Sequence, residues 1–167
     1  MNAKPVIREL RESDSLEELT DLLHRAYKVL ADMGLQFLAT HQDTSITKRR
    51  VERGRCFVAE CEDLIIGTVT VFKAPSNWKC EWYIRSEVMT AGQLAVEPEF
   101  QGNDIGKKLM NHVEEHAKEL GALELALDTS EQATNLIEWY ARLDYRFIQF
   151  VQWEPVNYRS VVMSKRL

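Results

Sequence analysis

The sequence predicts a mixed α/β (α+β) fold: a mostly antiparallel sheet built around one central parallel β-α-β unit, with helices on both faces. Three observations carry this. Residues 90–96 form an apolar run that ends in a glycine-bearing turn, Gln101-Gly102-Asn103-Asp104-Ile105-Gly106, and continues into a helical pattern over 105–120. After Gly121 the chain returns as the alternating run Leu123, Leu125, Leu127, which a right-handed crossover places parallel to 90–96. Upstream, 56–60 and 64–72 read as a hairpin around Cys61-Glu62-Asp63; downstream, 145–153 and 159–167 read as a second antiparallel pair, with Pro155 and Asn157 at the turn.

Each remaining element has a local reason. Residues 5–10 alternate enough for a first strand. Ser13 or Ser15 caps the next helix, Glu17 and Glu18 suit its first turn, and Leu16, Leu19, Leu23, Ala26, Tyr27 and Leu30 recur at helical spacing before Gly34 stops it. Residues 35–41 are irregular. Asp43 or Thr44 starts a short helix through Arg53, whose Lys48, Arg49, Arg50 and Arg53, with Arg55 beyond, read as a solvated basic face. Residues 74–88 are long for a loop and hold Trp78, Trp82 and Tyr83 among Lys79, Glu81, Arg85 and Glu87; they form either a lid over a substrate or an aromatic cover on the sheet. Ile105, Leu109, Val113, Ala117 and Leu120 make one apolar face, closed by Gly121. Thr129 or Ser130 caps a further helix with Leu136, Ile137, Tyr140 and Leu143 inward.

Composition narrows the function classes. The 167 residues suffice for one domain, 1–167, with a core of its own, and no linker, repeat or low-complexity segment divides them. Hydrophobic content of 45% with 28% charged residues is that of a soluble globular protein. A net charge of −5 argues against a nucleic-acid partner and suits a basic substrate. Cys56, Cys61 and Cys80 are odd in number and lack a Cys-x-x-Cys pair, so neither a disulfide framework nor a zinc knuckle is expected. Residues 1–11 are too polar for a signal peptide and no apolar run nears the ~18 residues of a membrane span. The expectation is a cytoplasmic protein with no membrane partner.

A strand feeding a glycine turn that opens a helix is an anion cradle, because the first helical amides lack intrahelical acceptors and carry the positive end of the helix dipole. The Walker loop and the dinucleotide fingerprint both fail on spacing, since only three residues lie between Gly102 and Gly106, Lys107 is followed by Lys108, and no Gly-x-Gly-x-x-Gly occurs. The turn instead resembles the acyl-CoA loop of the GNAT superfamily of N-acetyltransferases, Gln/Arg-x-x-Gly-x-Gly/Ala, in Gln101, Ile105 and Gly106. Asp104 stands where that family usually has glycine; its carboxylate is expected to cap the helix, and it places a negative charge beside the pyrophosphate site. The lead-in 94–100 is similar to the family's Val-x-Pro-x-Tyr/Phe, and 139–147 resembles its Leu-Tyr-x-x-x-Gly-Phe, with Tyr140 on the tyrosine and Asp144 replacing the glycine. The order of elements is also the family's, so the resemblance covers nearly the whole chain.

The resemblance implies a single GNAT domain using acetyl-CoA as cosubstrate and no metal. It implies that the backbone of Leu94, Ala95 and Val96 pairs with pantetheine, one amide there polarising the thioester carbonyl. Gln101 and the amides of Gly102, Asn103, Asp104, Ile105, Gly106 and Lys107 would hold the pyrophosphate. The family's CoA-contacting asparagine falls on Ala133, with Asn135 nearby as the substitute. Tyr140 is the expected general acid. The base is open among Glu81, Glu87, His41 and His24, and Glu81 is taken as the candidate. The acceptor would be a primary amine of a small molecule or peptide; the alternative is a catalytically weak CoA-binding or regulatory module. A homodimer through the C-terminal strand is a further expectation. Finally, His112-Val113-Glu114-Glu115-His116 matches the inverted zinc-peptidase pattern His-x-x-Glu-His, which makes zinc hydrolysis through His112, Glu115 and His116 a third reading; without a third ligand it reads as an exposed helix face.

Overall fold

The computed structural model describes residues 3–154 and 156–167, so the expected turn residue Pro155 lies outside the described residues. The elements run β1 (Val6–Glu9), α1 (Leu16–Asp32), α2 (Thr44–Glu52), β2 (Arg55–Cys61), β3 (Leu64–Phe72), β4 (Val88–Val96), α3 (Ile105–Glu119), β5 (Glu124–Ser130), α4 (Thr134–Arg142), β6 (Arg146–Val151) and β7 (Ser160–Arg166). The strands form one sheet in the order β1-β2-β3-β4-β5-β7-β6. Only β4 and β5 pair in parallel, and α3 crosses between them.

Period-2 alternation in β2 separates two cores. Cys56 packs with Leu19 of α1 and Val51 of α2 on one face, while Phe57 and Ala59 meet Leu109, Val113 and Ala117 of α3 and Tyr140 of α4 on the other. The helices thus lie on both faces, as expected. Each fully buried leucine of this kind stabilises the fold by roughly 1.5–3 kcal/mol. Ser15 caps α1, its hydroxyl accepting from Glu18 N at 3.2 Å, and Asp43 caps α2, accepting from Ile46 N at 2.9 Å.

Three expectations change. The helix expected to start at Thr129 or Ser130 starts at Thr134, because β5 stays paired with β7 as far as Ser130↔Ser160. Segment 74–88 is the aromatic cover rather than a lid: Cys80 and Tyr83 are 0% and 1% exposed in a second small core with Phe72, Val88, Ala126 and Val151. Lys73 Nζ holds it down by donating to Val88 O at 2.7 Å and to Tyr83 O at 3.2 Å. The basic face of α2 is not wholly solvated either. Arg50 turns inward and donates from Nη1 to Gln42 Oε1 at 2.8 Å, and Arg53 lies over the rings of Phe72 and Trp78 at 5.2 and 5.0 Å. Among the described residues no helix is long and apolar enough to cross a membrane.

Candidate active site

The sheet opens at its parallel pair. β4 and β5 are partnered only from Val88↔Glu124 to Thr90↔Ala126; beyond that, 91–96 and 127–130 run on without each other. The cause is a bulge. Against β3 the register goes from Thr70↔Gly92 to Thr68↔Ala95, so β4 carries one residue more, and Gln93 sits at φ 55°. The left-handed conformation costs a non-glycine residue about 1–2 kcal/mol. It is held by buried hydrogen bonds: Gln42 Nε2 donates to Gln93 Oε1 and to Thr47 Oγ1, both at 2.8 Å. A satisfied buried network of this kind fixes one geometry.

The gap widens into a cleft of about 520 Å³. One wall is Leu94, Ala95 and Val96 of β4 with Tyr27 of α1; the other is Asp128 and Thr129 of β5 with Asn135, Leu136, Trp139 and Tyr140 of α4; Gln101, Gly102, Asp104, Ile105, Gly106 and Lys107 close one end. Asn103 does not line it: Asn103 Nδ2 donates to Phe100 O at 3.1 Å and ties the turn together. Gln101 Nε2 likewise donates to Val96 O at 3.1 Å, and Asn135 is exposed at the rim.

The turn is built from two left-handed residues, Gly102 at φ 81° and Asp104 at φ 60°. Asp104 does not cap α3 through its carboxylate as expected; it supplies the backbone conformation that glycine usually supplies, and its side chain makes no capping bond. The helix's first backbone bond is Lys108 N to Asp104 O at 2.9 Å, which leaves the amides of Ile105, Gly106 and Lys107 without helical acceptors at the positive end of the dipole. A side chain at Gly106 would close the space, since a Cβ there would stand 3.3 Å from the Trp139 ring and 3.7 Å from Val96. Bare amides beside a residue with little room for a side chain fit an elongated, anionic ligand.

Asp128 stands where β5 leaves β4. Tyr83 Oη donates to Oδ1 at 2.5 Å and Trp153 Nε1 donates to Oδ2 at 3.0 Å, so both carboxylate oxygens are oriented. Burial pushes its pKa above the ordinary carboxyl value, against those donors and the charge of Arg50. Tyr27, whose hydroxyl donates to Leu94 O at 2.9 Å, is pushed up to about 12 by burial. Tyr140 is 8% exposed and held well above the ordinary phenol value by burial, then by Tyr27 and Asp128. The hydroxyls of Tyr27, Tyr83 and Tyr145 all donate to protein oxygens, whereas that of Tyr140 has no protein partner among the described residues. A protonated phenol and a carboxylate of raised basicity therefore face one cleft, which is the pairing of an acid and a base.

Of the candidate bases, Glu81 is exposed on the aromatic cover and does not line the cleft, and His24 Nε2 is engaged with Gln42 O at 2.7 Å. The carboxylate on the cleft wall is Asp128, which sequence reasoning passed over. Its signal is that it ends the alternating run of β5 at the carboxyl end of a parallel strand, where open sheets bind ligands. Elsewhere, His112 and His116 pack edge-on against Phe57 at 4.5 and 5.3 Å, and Glu114 is buried, accepting from Tyr145 Oη and Lys165 Nζ, each at 2.9 Å. No group of three His, Cys, Asp or Glu side chains with metal-holding geometry forms among the described residues.

Comparison with known proteins agrees with this geometry. Residues 16–145 match the model of the Acetyltransferase (GNAT) family. The S-(2-succino)cysteine N-acetyltransferase of Bacillus subtilis (strain 168) is 29% identical over 154 residues, which are 85% of this chain and 84% of that protein. The S-alkylcysteine N-acetyltransferase of the same organism is 25% identical over 163 residues, 92% of this chain and 85% of that protein. A crystal structure of a Bacillus subtilis acetyltransferase in complex with CoA superposes with a TM-score of 0.70 at 20% identity, covering 98% of this chain and 99% of that one.

Proposed function

The chain belongs to the GNAT family and is an acetyl-CoA-dependent N-acetyltransferase, and we propose that the amine it acetylates is that of an S-substituted cysteine. The observation that carries the site assignment is the unpartnered Tyr140 hydroxyl facing the cleft that Asp128 also lines. The acceptor class rests on the names of both curated relatives.

Acetyl-CoA, when bound, supplies the acetyl group as a thioester. The amides of Gly102, Asp104, Ile105, Gly106 and Lys107 take the pyrophosphate, while Gln101 and Asn103 brace the turn. The edge of Leu94, Ala95 and Val96, freed from β5, pairs with the pantetheine amides, and Asn135 meets the cofactor at the rim. A backbone amide on that edge polarises the carbonyl; loss of such a donor costs on the order of 10²-fold in rate. Asp128, in place of Glu81, takes one proton from the substrate ammonium, so that the neutral nitrogen attacks the carbonyl carbon. Tyr140 gives its proton to the sulfur as the carbon–sulfur bond breaks; the nitrogen sheds its second proton on becoming an amide, which restores the phenol through water, and Asp128 releases the first proton to solvent. The products are the N-acetylated amino acid and the free thiol.

Two further expectations belong to this reading. A cytoplasmic location is supported by the free thiols of Cys56, Cys61 and Cys80. A homodimer through the C-terminal strand does not fit, because β7 is paired on both sides, by β5 and β6; exposed Phe147 and Phe150 on β6, one of the two edge strands, support a homodimer there instead, and size-exclusion with light scattering reads it directly.

The test is thiol release from acetyl-CoA with S-methylcysteine and S-(2-succino)cysteine beside lysine and a polyamine, with Gly106→Trp as the blocked control. Turnover on the cysteine derivatives, with kcat/KM on the order of 10⁴ M⁻¹s⁻¹ and lost in the control, is expected. Turnover confined to lysine or the polyamine would end the substrate assignment, and calorimetric binding of acetyl-CoA with no turnover on any of the four amines would leave the protein a binding module.

A further inference from the structure

We infer that the acceptor carries an uncharged, apolar S-substituent, which lies against Phe37 on the α1 side of the cleft, and that a carboxylated substituent is disfavoured there. The inference rests on the S-substituted cysteine reading above and narrows it to one chemical class.

The side from which the acceptor comes follows from the alternation of β5. Leu125 and Leu127 turn to the core formed with α3 and α4, while Ala126 turns to the core that holds Phe72 and Tyr83. Asp128, two residues further on, turns the same way and meets Tyr83 and Trp153. Arg53 at the end of α2 covers Phe72 on that face. Tyr140 belongs to the opposite core. The base and the acid thus reach the gap from the two faces of the sheet, so the amine enters on the face of α1 and α2 and the thiol leaves toward α4.

What the acceptor meets on its face is apolar. Ala26, Tyr27 and Leu30 of α1 line the cleft together with Phe37, which follows the helix. Phe37 is held in place: its ring stacks on Tyr158 at 4.6 Å and tilts against Tyr27 at 5.7 Å. Asn157 clasps the backbone on either side of Leu35, its Nδ2 donating to Gly34 O at 2.8 Å and its Oδ1 accepting from Gln36 N at 2.9 Å. A wall fixed in this way has little freedom left to lose when a ligand packs against it.

The positive charges of the cleft stand elsewhere. The cations that line it are Lys107 and Arg142. Lys107 follows Gly106, and Arg142 is one helical turn from Trp139, whose ring abuts Gly106, so both stand at the phosphate end. On the acceptor's face, Arg25 pairs with Glu97, Lys28 pairs with Asp32, and Arg50 is held by Gln42 Oε1; none of the three lines the cleft. The charge on that side is Asp128, which attracts an ammonium and repels a further carboxylate. A carboxylated substituent would lose its hydration against Phe37 and Leu30 with no cation to replace it, whereas an alkyl or aryl one gains from every methylene it buries.

The experiment compares S-butylcysteine with S-(3-carboxypropyl)cysteine, which carries a carboxylate in place of the terminal methyl, by thiol release at saturating acetyl-CoA. The butyl derivative is expected to show a kcat/KM about 10- to 100-fold higher. Phe37→Ala should bring the ratio to within about threefold of unity, and Phe37→Arg, which puts a cation where the ring was, should reverse it. Equal use of the two derivatives by the wild type, preference for the carboxylated one, or an undiminished ratio in both variants overturns the inference and leaves cysteine acetylation intact. Should the Phe37 variants fail to fold, the wild-type ratio decides together with the series S-methyl-, S-ethyl- and S-butylcysteine: a rise of about fourfold per methylene supports the apolar wall, and a flat series overturns it. Use of neither derivative, whatever the outcome with lysine or a polyamine, overturns the substrate assignment above and this inference with it.

Discussion

Tyr140→Phe should separate activity from stability. The phenol ring packs between Trp139 and Tyr145, with centroids 5.0 and 5.9 Å away, and phenylalanine keeps both contacts. Among the described residues the hydroxyl has no protein partner, so its removal leaves no buried group unsatisfied, and stability should change by no more than about 0.5 kcal/mol. In a chain of this size that is a shift of at most about 2 °C in melting temperature. Under the acid assignment, catalysis loses the proton donor to the leaving sulfur. A positioned general acid contributes about 10²–10⁴-fold, so kcat should fall by that factor, or roughly 3–5 kcal/mol in barrier, with acetyl-CoA affinity unchanged. Tyr145→Phe is the opposite case. Its hydroxyl donates to buried Glu114, and its loss should cost about 1–3 kcal/mol of stability while kcat holds. Thiol release at saturating substrates, calorimetry and thermal melts of the two variants give the full comparison. A Tyr140→Phe enzyme with kcat within about threefold of wild type would refute the acid assignment.

Three further outcomes follow from the same structure. Asp128→Asn should lower kcat/KM by about 10²–10⁴-fold at neutral pH. Because burial raises the Asp128 pKa, the wild-type profile should lose activity as pH falls through a value above the ordinary 3.8, and a variant that keeps this acid limb would exclude Asp128 as the base. Asp104→Asn keeps a residue tolerant of φ 60° and removes a charge beside the α3 amides, so acetyl-CoA should bind about fivefold more tightly by calorimetry; weaker binding would show that the carboxylate helps hold the ligand. Arg8 bonds Asp14 at 2.8 and 2.9 Å and holds its pKa below 3.8. A carboxyl lowered in the folded state binds fewer protons there than in the unfolded chain, so its stabilisation is present above that value and lost as pH falls below it. Arg8→Met should therefore lower the urea midpoint at pH 7, by about 1–3 kcal/mol in stability, with the gap to wild type closing as pH falls below 3.8; a pH-independent gap would point to packing instead.

The fold was legible where local pattern and tertiary pairing agree. Strict alternation in 123–127 and a helical stripe from Ile105 to Ala117 can each be satisfied in one way, and the parallel crossover follows from their order. The turn at 101–106 was legible because its spacing excludes the other phosphate loops. What local pattern misses is long-range partnership. Nothing near Arg50 distinguishes it from Arg49 or Arg53, since its burial is decided by Gln42 and the bulge. Asp128 is one acidic residue among many until Tyr83 and Trp153, 45 and 25 residues away in sequence, close on it. Glu81 had the right chemistry in an aromatic segment, but packing of Cys80 and Tyr83 turns that segment onto the sheet and leaves Glu81 in solvent.

The same contrast explains the two apparent departures from the family pattern. Asp104 and Asp144 both replace expected glycines, and both adopt positive φ, at 60° and 72°. Aspartate enters that region at less cost than most residues, so each keeps the turn its glycine would have made. Gln93, at φ 55°, is the harder case, because glutamine has no such advantage and lies within a strand. It is kept there by Gln42, and Gln42 also takes the hydrogen bond of Arg50. The residue at the bulge where the sheet parts is therefore tied to the inward arginine of α2. A Gln42→Leu substitution should release Gln93 from its hydrogen bond, so that acetyl-CoA affinity falls; unchanged affinity by calorimetry would show that the bulge holds its shape without Gln42.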